Sequence, residues 1–349
     1  MPFVNDLLEH NRERLAEAAQ AAPTPGRLQS RFVFEPAQVM ALLRSRIVGQ
    51  EAVLAQMDSM LKSLKADLGD PARPLSVTLF LGPTGVGKTE IVRLIAEAIH
   101  GKPDAFCRID MNTLSQEHYA AALTGAPPGY VGSKEGTTLF DAEAIAGSFS
   151  RPGIVLFDEL EKASSEVLRS LLNVLDSGRL TLTAGSRTLD FRNCLIFMTS
   201  NLGAREAWDH RARFARGWRR LLGLRPRGEA EVVEQALHRQ FDAEFINRID
   251  RVLTFERIDG EHLGALLQIE LGKLNQRLGR RGIQVELDAS AQHLLCSGQD
   301  PRFGARDLVR RLRRELEPVL AEALLAQPQA TRLRVSAVAG TLAARPIAM

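Results

Sequence analysis

The segment Gly82-Pro83-Thr84-Gly85-Val86-Gly87-Lys88-Thr89 constrains the fold more than any other part of the 349-residue chain. Its glycines allow successive backbone N–H groups to turn inward around a polyanion, and a helix starting directly after it adds a positive N-terminal end. Such a loop requires a buried strand before it and a helix behind it. Both are present: residues 77–81 are a short apolar run, and Ile91, Leu94, Ile95 and Ala98 come next at helical spacing. Lys88 is placed to reach the β- and γ-phosphates of a nucleoside triphosphate, and the Thr89 hydroxyl to ligate Mg²⁺.

Four further apolar runs, at 105–109, 154–157, 194–198 and 252–255, alternate with helical segments. Alternation of this kind predicts an α/β fold with a mostly parallel five-stranded sheet covered by helices on both faces. Beyond residue 256 the pattern changes to a long amphipathic helix (Leu263, Leu266, Leu267, Leu271, Leu274), a strand near 283–287, a helix over 305–325 and a strand at 333–338. The expected organisation is therefore an N-terminal helical extension and linker (1–45), a large nucleotide-binding domain (46–256) and a smaller α+β lid domain (257–349).

The run at 154–157 ends in Asp158-Glu159. A strand buried on both faces delivers the residues at its C-terminal end to the edge of the sheet, where ligands of open α/β folds bind. Asp158 can hold magnesium, directly or through water, and Glu159 can polarise the attacking water. A bare pair of acids at a strand end is otherwise commonly a solvated terminus; the phosphate loop upstream reverses that balance.

Exclusions are equally direct. No apolar stretch approaches the roughly 20 residues of a membrane-spanning helix, and the first residues lack the basic-then-apolar pattern of a secretory signal. Three widely spaced cysteines, Cys107, Cys194 and Cys296, argue against a disulfide framework and for a reducing, cytoplasmic setting. Forty-five basic against 42 acidic side chains leave +3, too balanced to imply nucleic acid or membrane. Cys107 reads as core, His118 as a structural or solvent-facing residue, and magnesium is the single metal expected.

The loop at Gly82 to Glu90, Asp158-Glu159-Leu160-Glu161-Lys162-Ala163, Met198-Thr199-Ser200-Asn201, Phe245-Ile246-Asn247-Arg248-Ile249-Asp250 and Gly304-Ala305-Arg306 together resemble the second ATPase module of Clp/Hsp100 unfoldases, which are AAA+ proteins. The resemblance implies ATP and Mg²⁺ as ligands. It makes Asn201 the sensor that positions the lytic water, Arg248 the finger that reaches a neighbouring subunit's nucleotide, and Arg306 the second sensor coupling the lid to the γ-phosphate. It also makes Ile47 and Val48 part of the segment packed on adenine, and implies a homo-oligomeric ring, by analogy a hexamer.

Gly125-Ala126-Pro127-Pro128-Gly129-Tyr130-Val131-Gly132 reads as a projecting loop with apolar surface at its tip. In the resembled family it lines the pore and grips unfolded polypeptide; taken alone, a tyrosine folded back on its own domain is the simpler reading. A DNA-tracking loop should carry basic residues, and here Lys134 is followed by Glu135, so nucleic acid ranks below polypeptide. A scaffold that binds ATP without translocation is the third alternative. Between Asn201 and Arg248, seven arginines surround Phe214, Trp218, Leu221 and Leu222, giving a basic amphipathic helix. Leu222-Gly223-Leu224 resembles the tip by which some Clp ATPases dock on a peptidase, and is equally an ordinary helix end capped by Gly223. Ser164 and the segment Leu182-Thr183-Ala184-Gly185 depart from the family pattern.

Overall fold

The computed structural model describes residues 30–115, 139–181, 188–203, 229–258, 260–297 and 304–347. The helix read at the extreme N-terminus, the loop around Gly129, Tyr130, Val131 and Gly132, the segment 182–185 and the arginine-rich stretch with Leu222-Gly223-Leu224 lie outside them.

In chain order the strands are β1 (Ser76–Leu81), β2 (Cys107–Asp110), β3 (Gly153–Asp158), β4 (Arg179–Thr181), β5 (Thr188–Asp190), β6 (Cys194–Ser200), β7 (Arg251–Thr254), β8 (Gln284–Leu287), β9 (Arg332–Val338) and β10 (Thr341–Pro346). Five of them form an all-parallel sheet in the order β2-β3-β6-β1-β7. β4 and β5 pair as a separate antiparallel ladder, and β8 to β10 make a small mixed sheet in the lid.

Strand periodicity divides the interior of the large domain in two. Val77, Leu79, Val155, Phe157, Ile196 and Met198 point to one face, where α4 (Ala142–Ala146), α5 (Ser165–Ser177), α6 (Glu229–Gln240) and α7 (Ala243–Ile246) pack. Phe80, Ile154, Leu156, Leu195 and Phe197 point to the other, beneath α1 (Pro36–Arg46), α2 (Glu51–Lys65) and α3 (Lys88–His100). Every residue of β1, β3 and β6 is buried, as continuous apolar strands covered on both sides must be.

Two features differ from the sequence reading. Residues 32–45, which that reading sets apart from the large domain, are packed within it: Phe32, Phe34, Val39, Met40 and Leu43 are buried in the same cluster as the β1 and β6 side chains. Their short, irregular apolar spacing gives too little periodicity to mark a core helix. The single helix expected over 305–325 is interrupted. α10 (Ala305–Arg311) passes through a π turn at Leu312–Leu316 into α11 (Glu317–Ala326), because Pro318 carries no N–H for the carbonyl four residues before it.

The lid has its own core, built from α8 (Gly260–Gly279), α9 (Ala289–Cys296), α10, α11 and the small sheet. At its root, the Gln50 side chain donates to the Glu256 carbonyl at 2.8 Å and accepts the Glu256 N–H at 2.9 Å. Among the described residues no helix is long and apolar enough to cross a membrane.

Leu43 is completely buried, so Leu43→Ala should cost about 2–5 kcal/mol in denaturant unfolding, the range for a core leucine. A loss below about 0.5 kcal/mol, the scale of a surface change, would detach α1 from this core.

Candidate functional site

The strand order explains why distant segments meet. β3, β6 and β1 are neighbours, so Asp158-Glu159, Asn201 and the phosphate loop leave the same edge of the sheet side by side, where open α/β folds bind ligands. They line a cavity of about 680 Å³ together with Ile47, Val48, loop residues 84–90 and, from the lid, Arg306. Backbone donors, Lys88 and Thr89 mark one end; Ile47, Val48, Ile258, Leu266 and Val309 supply an apolar wall. Donors for phosphate beside a surface for a flat base fit a nucleoside triphosphate. Among the described residues no group of three or more His, Cys, Asp or Glu could hold a metal ion. A divalent ion here would depend on Thr89, Asp158 and the phosphates themselves, as Mg²⁺ commonly does.

The loop conformation is available only to glycine at its entrance. Gly82 has φ 133°, and a Cβ there would lie 2.7 Å from the Phe255 carbonyl oxygen.

Lys88, the first residue of α3, is buried, and its ammonium donates to the carbonyls of Gly82 and Pro83 (2.8 Å to the latter) and to Asn201 Oδ1 at 2.9 Å. Burial pushes its pKa down to about 8; the carboxylates of Glu161, Asp158 and Glu159 oppose that shift, and Arg306 adds to it. The cation is thus held by dipoles and nearby acids at a depth where water contributes little.

Asp158 is also buried, and both its oxygens are engaged. Thr199 Oγ1 donates to Oδ1, while Arg108 Nε and Nη2 donate to Oδ2 at 3.1 and 2.6 Å. Oδ1 retains a lone pair for a hydrated cation, while both lone pairs of Oδ2 are taken by Arg108. Glu159 comes next, in the left-handed region at φ 60°, ψ 51°, with its N–H bonded to Thr199 Oγ1 at 3.0 Å. For a side chain other than glycine this conformation costs about 1–3 kcal/mol, and such strain concentrates at functional sites. It breaks the strand abruptly and delivers Glu159 to the cavity.

Asn201 is held from two directions. Besides accepting from Lys88, it donates its backbone N–H and Nδ2 to Glu161 Oε1 at 3.2 and 3.1 Å.

The lid touches the phosphate loop directly. The Ala305 N–H donates to the Gly85 carbonyl at 2.9 Å, and a Cβ on Gly304 (φ 50°) would sit 2.7 Å from that same oxygen. Lys273 of α8 bridges to Glu90 of α3 at 3.2 Å and to Glu270 at 2.9 Å. Burial alone would lower the Lys273 pKa, but the two carboxylates outweigh it and raise it. Glu90, expected as a nucleotide ligand, therefore lines the cavity while tied to the lid.

Arg248 stands apart from this cavity. Its Nε lies 2.9 Å from Asp176 Oδ1 without being aimed at it, leaving an ion contact rather than a hydrogen bond. Nη2 is 3.6 Å from Glu244. Asp250 of the same motif is structural: its carboxylate accepts the Val77 N–H at 2.7 Å and pins the turn to β1.

Sequence reasoning assigned no role to Arg108, Thr199, Glu161 or Lys273. Glu161 and Thr199 sit inside the motifs that carry the resemblance, and their position two residues after Glu159 and two residues before Asn201 was the signal that could have found them. Lys273 gave none, since its partner lies 183 residues away.

Residues 73–252 match the family described as AAA domain (Cdc48 subfamily), and residues 258–335 match the C-terminal, D2-small domain, of ClpB protein. A Pseudomonas aeruginosa protein described as "ATP-dependent protease ATP-binding subunit-like protein AmiB" is 50% identical, with 93% of each chain covered. A Rhodococcus erythropolis "ATP-dependent protease ATP-binding subunit-like protein" is 42% identical over 93% of this chain and 92% of its own. The Vibrio cholerae "Chaperone protein ClpB" is 40% identical over 82% of this chain but only 32% of its own. The chain thus spans nearly the whole length of the first two relatives and about a third of the last.

The lowered Lys88 pKa sets a pH dependence for nucleotide affinity. A bound polyanion favours the ammonium, so the complex has the higher pKa. Affinity is complete below pH about 8 and should fall about tenfold per pH unit above it until the pKa of the complex is reached. Calorimetry of ADP binding between pH 7 and 10 measures this directly, together with proton uptake at pH 9; an affinity flat to pH 9.5 would contradict it.

Proposed function

The chain belongs to the Clp/Hsp100 family of AAA+ ATPases and hydrolyses ATP, and from that premise we propose that hydrolysis drives the threading or remodelling of polypeptides through a homo-oligomeric, six-membered ring in the cytoplasm. The observation that supports this best is the meeting of Lys88, Asp158, Glu159, Asn201 and the lid's Arg306 around one cavity at the end of three adjacent parallel strands.

The roles rest on chemistry and position. Loop N–H groups and Lys88 hold the β- and γ-phosphates, and Thr89 and Asp158 hold Mg²⁺. When bound, the magnesium supplies positive charge that neutralises the phosphate oxygens. Glu159 orients a water and draws off its proton as the oxygen attacks the γ-phosphorus, leaving ADP and inorganic phosphate. Asn201 fixes that water. Ile47 and Val48 pack on the base, and Arg306 carries the presence of the γ-phosphate to the lid.

Arg248 acts on the neighbouring subunit's nucleotide, where a guanidinium offsets charge on the transferred phosphoryl group by about 10³ to 10⁵ in rate. Its place outside its own subunit's cavity is compatible with that role. Tyr130 and Val131 grip the substrate from the pore, an aromatic ring packing on many side chains without selecting among them. Two relatives carry names that couple them to proteases, in keeping with a peptidase or adaptor docking at Leu222-Gly223-Leu224.

Glu159→Gln should bind ATP with near-native affinity, hydrolyse it at least 100-fold more slowly, and retain polypeptide clients in pull-downs; recovery of nucleic acid alone overturns the substrate assignment. Tyr130→Ala should keep basal hydrolysis and lose unfolding of a tagged reporter. Arg248→Ala should lose about 10³ in kcat while retaining ADP binding, and full turnover by a monomeric form would contradict the ring.

A further inference from the structure

We propose that Glu161 is a positioning residue for hydrolysis: its carboxylate locks the Asn201 carboxamide in one orientation, oxygen toward Lys88 and nitrogen away from it. The inference rests on the reading of Asn201 as the group that fixes the attacking water.

The geometry leaves the amide no choice. Glu161 Oε1 is an acceptor and takes both the backbone N–H and Nδ2 of Asn201, at 3.2 and 3.1 Å. Lys88 Nζ is a donor and requires the amide oxygen, which it meets at 2.9 Å. A flipped carboxamide would set NH₂ against an ammonium and oxygen against a carboxylate. Two charged partners of opposite sign on opposite sides thus define the rotamer, each bond strengthened by that charge. One Asn201 N–H and one oxygen lone pair remain uncommitted by this arrangement. A single water can donate to one and accept from the other, the pairing needed to fix its direction as well as its place.

Glu161 is also costly in a way that packing alone does not explain. Its second oxygen, Oε2, is buried with no hydrogen-bond partner among the described residues, and an unsatisfied carboxylate oxygen is usually disfavoured at a site that only fills space. Its backbone is carried by the short helical turn Leu160–Lys162 that begins directly at the strained Glu159. The residue that polarises water and the residue that aims the water's other ligand are consequently mounted on one rigid turn, two positions apart. The chain Glu161, Asn201, Lys88 links that turn to β6 and to the phosphate loop.

The test compares Glu161→Ala, Glu161→Gln and Asn201→Ala, alone and combined, by single-turnover hydrolysis, ADP calorimetry and thermal unfolding, all at about pH 6.5 so that Lys88 stays protonated when the Glu161 counter-charge is lost. Glu161→Ala should lower kcat about 10- to 100-fold, the scale of one misdirected polar group in an active site, with the ADP Kd within about threefold. Glu161→Gln, whose amide oxygen can still accept both N–H groups, should restore the rate to within about fivefold of the parent. In the Asn201→Ala background neither change should alter kcat by more than about threefold, since the group they act through is gone.

An equal loss in both backgrounds, or a Glu161→Ala protein with native kcat, overturns the proposal. Native kcat in Asn201→Ala alone instead removes the underlying reading of Asn201. Should the alanine variant not fold, Glu161→Leu, which fills the same space without an acceptor, is read in the same two backgrounds.

Discussion

A desolvated ammonium at the start of α3 is the interaction on which the architecture turns. Lys88 can remain charged at neutral pH only because carbonyl dipoles of the phosphate loop, the amide of Asn201 and three carboxylates surround it. These partners are supplied by the ends of three parallel strands, β1, β6 and β3. The sheet order β2-β3-β6-β1-β7 is therefore more than a packing solution. With β6 between β1 and β3, the three strand ends form one wall, and the buried cation has its counter-charges within reach.

The same wall carries the strain in the site. Glu159 occupies a backbone region that favours glycine, held there by the Thr199 hydroxyl on one side and the buried Asp158 on the other. Arg108, on the outermost strand of that side, completes the cage by occupying the second Asp158 oxygen. A rigid surround of this kind allows Glu159 to keep an unfavourable geometry, because relaxing it would require breaking several buried polar bonds at once.

The features legible in the residues alone divide from the rest along physical lines. The three central strands β1, β3 and β6 were visible because continuous apolar runs between turn signals have few other interpretations; the edge strands β2 and β7 showed as shorter runs and are only half buried. The loop and the acids of β3 were visible because phosphate chemistry demands particular residue types in sequence. α1 was hidden: its buried Val39, Met40 and Leu43 are too few to show a period, and it joins the core through contacts with α2 and α3. The antiparallel pair β4 and β5, three residues each, is shorter than any pattern can reveal. Lys273 and Arg108 owe their roles to partners far away in the chain, and single charged residues on a helix or an edge strand look the same whether or not such partners exist. Glu161 was in plain view within a motif of the resemblance, yet its two bonds to Asn201 depend on β3 and β6 being adjacent, which no local pattern encodes.

The lid is fastened to the large domain by polar bonds at its root and at its far end, and between them by the Lys273–Glu90 ion pair. At its root the Gln50 side chain grips both backbone groups of Glu256; at its far end the Ala305 N–H holds the Gly85 carbonyl, with Gly304 too close for any side chain. The two end attachments define an axis, and the Lys273–Glu90 pair, made of two flexible side chains, is the contact that a swing about that axis would stretch. Any change in the peptide plane of Gly85 would be converted into torque on the second domain, much as a crank turns a shaft.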